Sequence, residues 1–120
     1  IISILSSINS RIGNYAIRGD KDNGLFDDIM SSSGFFILDN KSTHIYFNGS
    51  DGITITNTDE YTDEFSIHLL HKPDDVDALN NSFNVVLAGH SLGGQINLPI
   101  IRNLLLPDGA KEYYLSELKI

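Results

Sequence analysis

Cysteine is absent from the 120 residues of this sequence. Its absence excludes disulfide bonds, thiolate metal ligands and a cysteine nucleophile. It does not fix the redox compartment, because an exported protein need not contain disulfides. A chain of this length forms one small domain or part of a larger one, and its hydrophobic fraction of 41% is ordinary for a globular protein.

Basic residues are scarce. Eight lysines and arginines stand against 16 aspartates and glutamates, which gives a formal net charge of −8. An acidic surface repels nucleic-acid phosphates, and no cluster of lysine or arginine offsets this repulsion. Anionic membrane surfaces are disfavoured for the same reason. We therefore expect no nucleic-acid partner.

Long hydrophobic runs are absent as well. Polar residues such as Ser3, Ser6 and Asn9 interrupt the apolar start of the chain, and no segment approaches the roughly 20 apolar residues of a membrane-spanning helix. No basic region or small-residue cleavage site marks a signal peptide. Because the first residue is isoleucine, we expect that the sequence starts inside a longer gene product.

Hydrophobic spacing and turn residues predict an α/β chain with flanking helices. Helices are expected in segments 1–13, 25–32, 73–81 and 92–106. Strands are expected in segments 34–39, 43–48, 53–56 and 83–88, the first two as a hairpin. Segment 58–70 suits an acidic helix as well as segment 53–56 suits a brief strand. Segment 111–118 is ambiguous, and we favour a helix that leads into a strand.

Asp20-Lys21-Asp22-Asn23-Gly24 superficially resembles a calcium-binding loop. However, the glycine stands one position early, and Ser31 occupies the twelfth position, where glutamate is expected. We interpret the segment as an ordinary loop and Arg18-Gly19-Asp20 as a chance tripeptide.

The strongest pattern is Gly89-His90-Ser91-Leu92-Gly93-Gly94, at the junction of a predicted strand and a predicted helix. A G-x-S-x-G string in that context is typical of a nucleophile elbow, a tight turn that lifts the serine hydroxyl clear of the sheet. Side chains beside the serine would clash, which explains the glycines two residues before and after it. Free N–H groups at the helix start would face developing negative charge.

The complete string resembles that of class 3, fungal-lipase-like triacylglycerol lipases of the α/β-hydrolase superfamily. In that family a β-hairpin precedes a strand that ends in Gly-Thr or a similar pair, and Gly49-Ser50 follows the predicted hairpin here. The resemblance implies that Ser91 is the nucleophile, and that the backbone N–H of Leu92 and Ser50 form the oxyanion hole. It implies structural roles for Gly89, His90, Gly93 and Gly94.

The sequence departs from the family pattern in three places. Asn48 stands where arginine is usual, Ser50 stands where threonine is usual, and the segment between Ser50 and Ser91 is short. Taken alone, Ser50 could simply cap a turn.

No histidine follows Ser91, although the acid and then the histidine of this fold follow the serine along the chain. Without a base, serine is a weak nucleophile at neutral pH. Asp108 follows only one predicted helix later, so we do not assign it as the acid. Two explanations stay open: the acid and histidine lie beyond residue 120, which we favour, or the chain is an inactive hydrolase.

The remaining histidines precede the elbow. His68 and His71 lie three residues apart and could share a helix face, but as a metal pair they lack an obvious third ligand. We interpret them as part of a solvated face, and His44 as a packed or edge residue of a strand. We expect neither a metal nor an organic cofactor.

The sequence thus predicts a partial α/β-hydrolase domain over 1–120, with a mixed, mostly parallel sheet after an N-terminal hairpin and without the C-terminal acid and histidine. We expect the complete protein to hydrolyse a carboxylic ester, with a lipid as substrate, through an acyl-enzyme on Ser91. A thioesterase or acyltransferase with the same elbow, and a non-catalytic binding domain, stay as alternatives.

Overall fold

The computed structural model describes residues 1–47, 49, 51–92 and 106–115. Within these ranges the helices and strands form an α/β arrangement with two sheets. In chain order the elements are α1 (Ile2–Leu5), β1 (Asn14–Ala16), α2 (Gly24–Ser32), β2 (Phe35–Ile37), β3 (Ser42–Phe47), β4 (Asp51–Thr56), β5 (Phe65–Leu70), a 3-10 helix (Pro73–Ala78) and β6 (Val85–Ala88). The predicted α/β class is confirmed. The arrangement of strands and helices does not confirm an α/β-hydrolase fold.

The smaller sheet pairs β1 with β2 in parallel, and α2 connects the two strands. The Asn23 side chain caps α2 by accepting the N–H of Leu25 at 3.0 Å. Arg18, in the loop between β1 and α2, donates to Asp27 at 2.6 Å and to Asp39 at 3.0 Å. These two ion pairs hold the β1–α2 loop against α2 and against the segment that follows β2.

The larger sheet has the strand order β3-β4-β5-β6. β3 and β4 run antiparallel, whereas β4, β5 and β6 run parallel, so the sheet is mixed, as predicted. β5 and β6 are in register from the pair Ile67 and Val85 to the pair Leu70 and Ala88. Their carboxyl ends therefore lie side by side, and the residues that follow them emerge next to each other.

The two faces of the larger sheet differ in polarity, because side chains alternate between the faces along each strand. One face carries buried hydroxyl and imidazole groups: Thr54 and Thr56 in β4, and Ser66 and His68 in β5, are each at most 3% exposed. The opposite face carries mainly isoleucine, leucine and valine side chains that are partly or fully exposed.

The loops between the parallel strands cover the polar face. The Asn84 side chain accepts the N–H of Ser66 at 2.8 Å. The Asp59 carboxylate accepts the N–H groups of Asn80 and Asn81 at 2.7 and 3.0 Å, and hydrogen bonds from Asn80, then Asn81, lower the pKa of Asp59 to about 2. The β4–β5 loop is thereby joined to the β5–β6 connection above the buried hydroxyls.

The predicted hairpin between segments 34–39 and 43–48 is wrong. A turn does separate them, with Asn40 in the left-handed region at φ 49°, but β2 pairs with β1, and β3 pairs with β4. Turn residues show where the chain reverses, whereas strand partners depend on which surface each strand can pack against. The hairpin of the larger sheet is β3–β4, on either side of Gly49.

The outcome for the other segments is mixed. The helix at 25–32 and the strands at 53–56 and 83–88 are confirmed by α2, β4 and β6. The helix predicted over 1–13 is limited to Ile2–Leu5, because the Ser7 hydroxyl donates to the Ile4 carbonyl at 2.6 Å and competes with continued helix.

The acidic helix considered over 58–70 is wrong, because residues 65–70 form β5. The helix that begins at Pro73 is a 3-10 helix and ends at Ala78. Residues 111–115 form neither helix nor strand, and the predicted helix at 92–106 lies outside the described residues except at its two ends. Among the described residues, no helix combines the length and apolar character that crossing a membrane requires.

Candidate metal centre

The chain turns sharply where β6 ends. The Ser91 N–H donates to the carbonyl of Gly89 at 2.7 Å. The left-handed φ angles in this turn belong to His90 (64°) and Leu92 (51°), on either side of Ser91. A left-handed conformation costs a residue other than glycine about 1–2 kcal/mol, so the surrounding contacts must hold it in place.

This turn brings His90 against His71. The two imidazole centroids are 4.6 Å apart, with an angle of 67° between the rings. Nε2 of His71 lies 3.2 Å from Oδ1 of Asp20. Asp20, His71 and His90 each offer one ligand atom, and these three atoms lie within 4.8 Å of one another. We refer to these three residues as the edge cluster.

The three members of the edge cluster come from segments that are far apart in sequence. Asp20 lies in the β1–α2 loop, His71 directly follows β5, and His90 lies two residues beyond β6. The carboxyl ends of neighbouring parallel strands are a frequent location of ligand sites, because the following loops converge there. The register of β5 and β6 places His71 and His90 at such an end.

Gly19 allows the β1–α2 loop to approach His71 closely. A Cβ atom at position 19 would lie 2.9 Å from Cε1 of His71, which is closer than carbon atoms pack. The Gly19 N–H donates to the Asp22 carboxylate at 2.7 Å, and the Asp22 N–H donates to the Gly19 carbonyl at 3.2 Å. These bonds close a tight turn that contains Asp20.

A backbone carbonyl orients the His90 ring. Nε2 of His90 lies 3.0 Å from the carbonyl oxygen of Asp108. Because a carbonyl oxygen only accepts, Nε2 carries a proton, and Nδ1 is the ring nitrogen that remains for a metal. Metal-ligating histidines are commonly held in this way by a carbonyl or carboxylate on the other ring nitrogen.

Asp74, in the 3-10 helix, anchors the turn that contains Asp108. The Asp74 N–H donates to the carbonyl of Gly109 at 3.0 Å. The Asp74 carboxylate accepts, at 2.6 to 3.0 Å, the N–H groups of Lys111, Glu112 and Tyr113. The carbonyl that orients His90 is therefore tied to the segment that follows His71.

Positive charge surrounds the Asp20 carboxylate. Nζ of Lys72 lies 3.9 Å from Oδ2 of Asp20. Desolvation by itself raises the pKa of Asp20, but the His71 hydrogen bond and neighbouring positive charge, including that of Lys21, outweigh it, so the pKa lies below its ordinary value. Asp20 is thus ionised at neutral pH, as an anionic metal ligand must be.

The donor set fits a divalent metal ion. One carboxylate and two imidazoles make a three-ligand set of the kind found in catalytic metal sites, which keep a further position open. Ligand atoms about 2.1 Å from a tetrahedral metal lie about 3.4 Å from one another. The three donor atoms lie within 4.8 Å of one another, which is near that spacing. Asp20 is exposed and both histidines are partly exposed, so the edge cluster is open to solvent.

The sequence-based interpretation of the histidines is corrected in part. His68 and His71 belong to β5 and the residue after it, where residues three apart point to opposite faces, so they share no helix face. His68 is buried rather than solvated. His71 does have further potential ligands, but they lie 51 residues before it and 19 residues after it and form no local pattern. The signal that could have found them is a polar side chain shortly after each strand.

Comparisons with known proteins give a match among curated proteins. No protein-family model and no solved structure matches the sequence. Among curated proteins, the chain is similar to the protein named "Uncharacterized metallophosphoesterase YkuE" of Bacillus subtilis (strain 168). The two are 27% identical over an alignment of 134 residues, which covers 94% of this chain and 47% of the relative. The chain therefore spans about half the length of the curated relative that it matches.

This relative contradicts the resemblance to class 3 lipases. The expected hydrolysis of a carboxylic ester, with a lipid as substrate, depended on that resemblance and is wrong. The physical reason lies in the turn: glycines at a strand end help any neighbouring side chain to leave the sheet, and Gly89-His90-Ser91 contains two polar ones. The structure places His90 in the edge cluster.

The individual site residues of the elbow were not tested by these comparisons. The roles predicted for Ser91 and Leu92, and the structural role predicted for Gly89, stay predictions. Ser50, Gly93 and Gly94 lie outside the described residues.

Proposed function

We propose that this chain belongs to a metal-dependent phosphoester hydrolase and that the edge cluster binds its divalent metal. The observation that carries the proposal is the convergence of one carboxylate and two imidazoles from three separate segments at the end of parallel strands. The similarity to a protein named as a metallophosphoesterase supports the choice of phosphoesters over other substrates.

The chain's own residues have distinct tasks in this proposal. Asp20 supplies a negative charge that offsets part of the metal's charge, and the two histidines supply neutral nitrogen ligands. Gly19 lets the Asp20 loop approach, and the Asp108 carbonyl holds the His90 ring. The chemistry that a divalent cation supplies when bound is Lewis acidity toward a phosphoryl oxygen.

Metal binding requires deprotonated imidazoles, so the proposal includes a pH dependence. A proton and a metal ion compete for the same imidazole lone pair. We expect a weaker affinity for a divalent metal in acidic than in neutral buffer, measured by titration in both.

Isothermal titration of Mn²⁺ into the purified chain tests the proposal. His71→Asn is expected to weaken binding by more than about 100-fold, since it removes one of three ligands. His44→Asn is the matched control, because His44 also contacts a carboxylate, Glu64, at 2.9 Å but lies outside the edge cluster. Equal Mn²⁺ affinity in the unaltered chain and in His71→Asn would falsify the proposal.

A second measurement concerns the reaction. We expect the chain to release p-nitrophenol from p-nitrophenyl phosphate or bis(p-nitrophenyl) phosphate when Mn²⁺ is present, and to lose this activity in a chelator. Hydrolysis that persists in a chelator and in His71→Asn would contradict the assignment of the reaction to the edge cluster.

A further inference from the structure

Lys72 is placed beside the edge cluster without belonging to its donor set. It directly follows His71, and its Nζ lies 3.9 Å from Oδ2 of Asp20. The lysine side chain is 34% exposed, so its ammonium group remains accessible from solvent. A protonated ammonium group cannot bind a metal. Lys72 must therefore have another role beside Asp20 than that of a metal ligand.

A glycine turn directs Lys72 toward this position. A Cβ atom at Gly109 would lie 2.6 Å from Cδ of Lys72 and 3.0 Å from its Cβ and Cγ atoms. Gly109 also has a left-handed φ of 89°, which disfavours any other residue there. The aliphatic part of Lys72 thus packs on the backbone of the turn whose Asp108 carbonyl orients His90. One turn holds both a histidine of the edge cluster and a neighbouring cation.

The overall charge of the chain makes such a cation significant. With a net charge of −8, the chain as a whole repels an anionic phosphoester. Binding of a phosphate group then depends on local positive charge. A lysine ammonium has three donors at the end of a flexible stem and suits phosphate oxygens.

We infer that Lys72 binds the phosphoryl oxygens of the substrate at the edge cluster, leaving Asp20 for a phosphate oxygen when metal and substrate are bound. This inference rests on the proposed function. It makes Lys72 a substrate-binding residue rather than a metal ligand. It also implies that Lys72 competes with the metal for Asp20 in the absence of phosphate.

Two affinities, for Mn²⁺ and for inorganic phosphate, test this inference by isothermal titration. The Mn²⁺-loaded Lys72→Met variant should bind inorganic phosphate about tenfold more weakly, because it lacks one charge-assisted hydrogen bond. The affinity for Mn²⁺ alone should stay equal or become tighter, because a competing cation has been removed. Lys72→Arg should restore phosphate binding. A merely structural role would not weaken phosphate binding while leaving Mn²⁺ affinity equal or tighter.

Lys111→Met is the matched control, since Lys111 pairs with Asp108 at 3.0 Å and its substitution removes the same charge next to the turn on which Lys72 packs. Equal phosphate affinity in Lys72→Met and the unaltered chain, with Mn²⁺ still bound, would overturn this inference alone. An equal loss of phosphate affinity in Lys72→Met and Lys111→Met would overturn it too, because the loss would then follow from the overall charge and not from the position of Lys72. If the unaltered chain binds no Mn²⁺, the proposed function fails and this inference fails with it.

Discussion

Two contacts between a histidine and a carboxylate lie in different parts of this molecule. On the polar face of the larger sheet, Nδ1 of His44 lies 2.9 Å from Oε2 of Glu64. At the end of the parallel strands, Nε2 of His71 lies 3.2 Å from Oδ1 of Asp20. The atoms and the distances are similar, but the surroundings of the two carboxylates differ.

Glu64 is held by the sheet itself. The buried Thr54 hydroxyl donates to Oε2 of Glu64 at 2.5 Å, and this bond, followed by that of His44, lowers the pKa of Glu64. A Cβ atom at Gly52 would lie 3.0 Å from Oε1 of Glu64, so the glycine leaves room for the carboxylate to lie on the strand. The Glu64 contact is thus part of the polar cover of the sheet.

Asp20 lies among further groups of the proposed site. A second imidazole, that of His90, converges on it, and the Lys72 ammonium lies within 4 Å of it. The comparison shows that a histidine and a carboxylate together do not indicate a site. A site is indicated when further donors arrive from separate segments and the group stays open to solvent. Substitutions on the sheet face should change stability, and substitutions in the edge cluster should change ligand affinity.

The largest expected difference comes from neutralising each carboxylate. Asp20→Asn should weaken Mn²⁺ binding by more than about 100-fold, because it removes the anionic ligand. Glu64→Gln should leave Mn²⁺ affinity unchanged and lower the midpoint of thermal unfolding, because Thr54 and His44 lose a charged partner. Isothermal titration and thermal unfolding check the pair. Loss of Mn²⁺ binding in Glu64→Gln rather than in Asp20→Asn would contradict the distinction between the two contacts.

A smaller effect is expected from the loop that carries Asp20. Gly19→Ala places a Cβ atom 2.9 Å from the His71 ring and should push the loop away, which weakens Mn²⁺ binding by about tenfold. Gly24→Ala is the control, since a Cβ atom there meets nothing within 4 Å and position 24 begins α2. Unchanged affinity in Gly19→Ala, measured by the same titration, would show that close approach of the loop is not needed.

The smallest effect concerns His68, buried on the sheet face. Its ring lies 4.5 Å from that of Phe83, and its Nδ1 has no hydrogen-bond partner among the described residues. Burial, opposed by Asp59 and by the Thr58 backbone, lowers the pKa of His68 from 6.5. The unfolded chain therefore takes up the proton first as pH falls below about 6.5. Stability is complete above that pH and declines below it, by at most about 1.4 kcal/mol per pH unit.

Urea unfolding between pH 8 and pH 5 checks this prediction. His68→Phe has no titrating group at this position and should lose less stability on acidification than the unaltered chain does. Parallel stability curves for the two proteins would mean that His68 does not titrate in this range.

Local sequence is enough to predict part of the fold. Segments 53–56 and 85–88 are rich in β-branched or apolar residues, and the glycine turn after Ala88 marks a strand end, so both strands and the turn were predictable. Segment 65–70 was ambiguous, because its polar Ser66 and His68 face a cover made by loops rather than solvent. Partners of β2 and β3 could not be predicted, because a turn between two strands does not require that they pair.

The site depended on information that local patterns do not contain. The string Gly89-His90-Ser91 indicates a turn that exposes a side chain, but it does not say which one. Asp20 lies 51 residues before His71, and the tripeptide Arg18-Gly19-Asp20 around it matches no ligand pattern. The parallel register of β5 with β6 places His71 beside His90, and the ion pairs of Arg18 hold the β1–α2 loop that carries Asp20.

The central claim is that the turn after β6 presents His90 to a metal. Titration of Mn²⁺ into His90→Asn and Ser91→Ala, beside the unaltered chain, tests it most directly. The account predicts that His90→Asn loses Mn²⁺ binding by more than about 100-fold and that Ser91→Ala keeps it. Retained binding in His90→Asn would contradict the account.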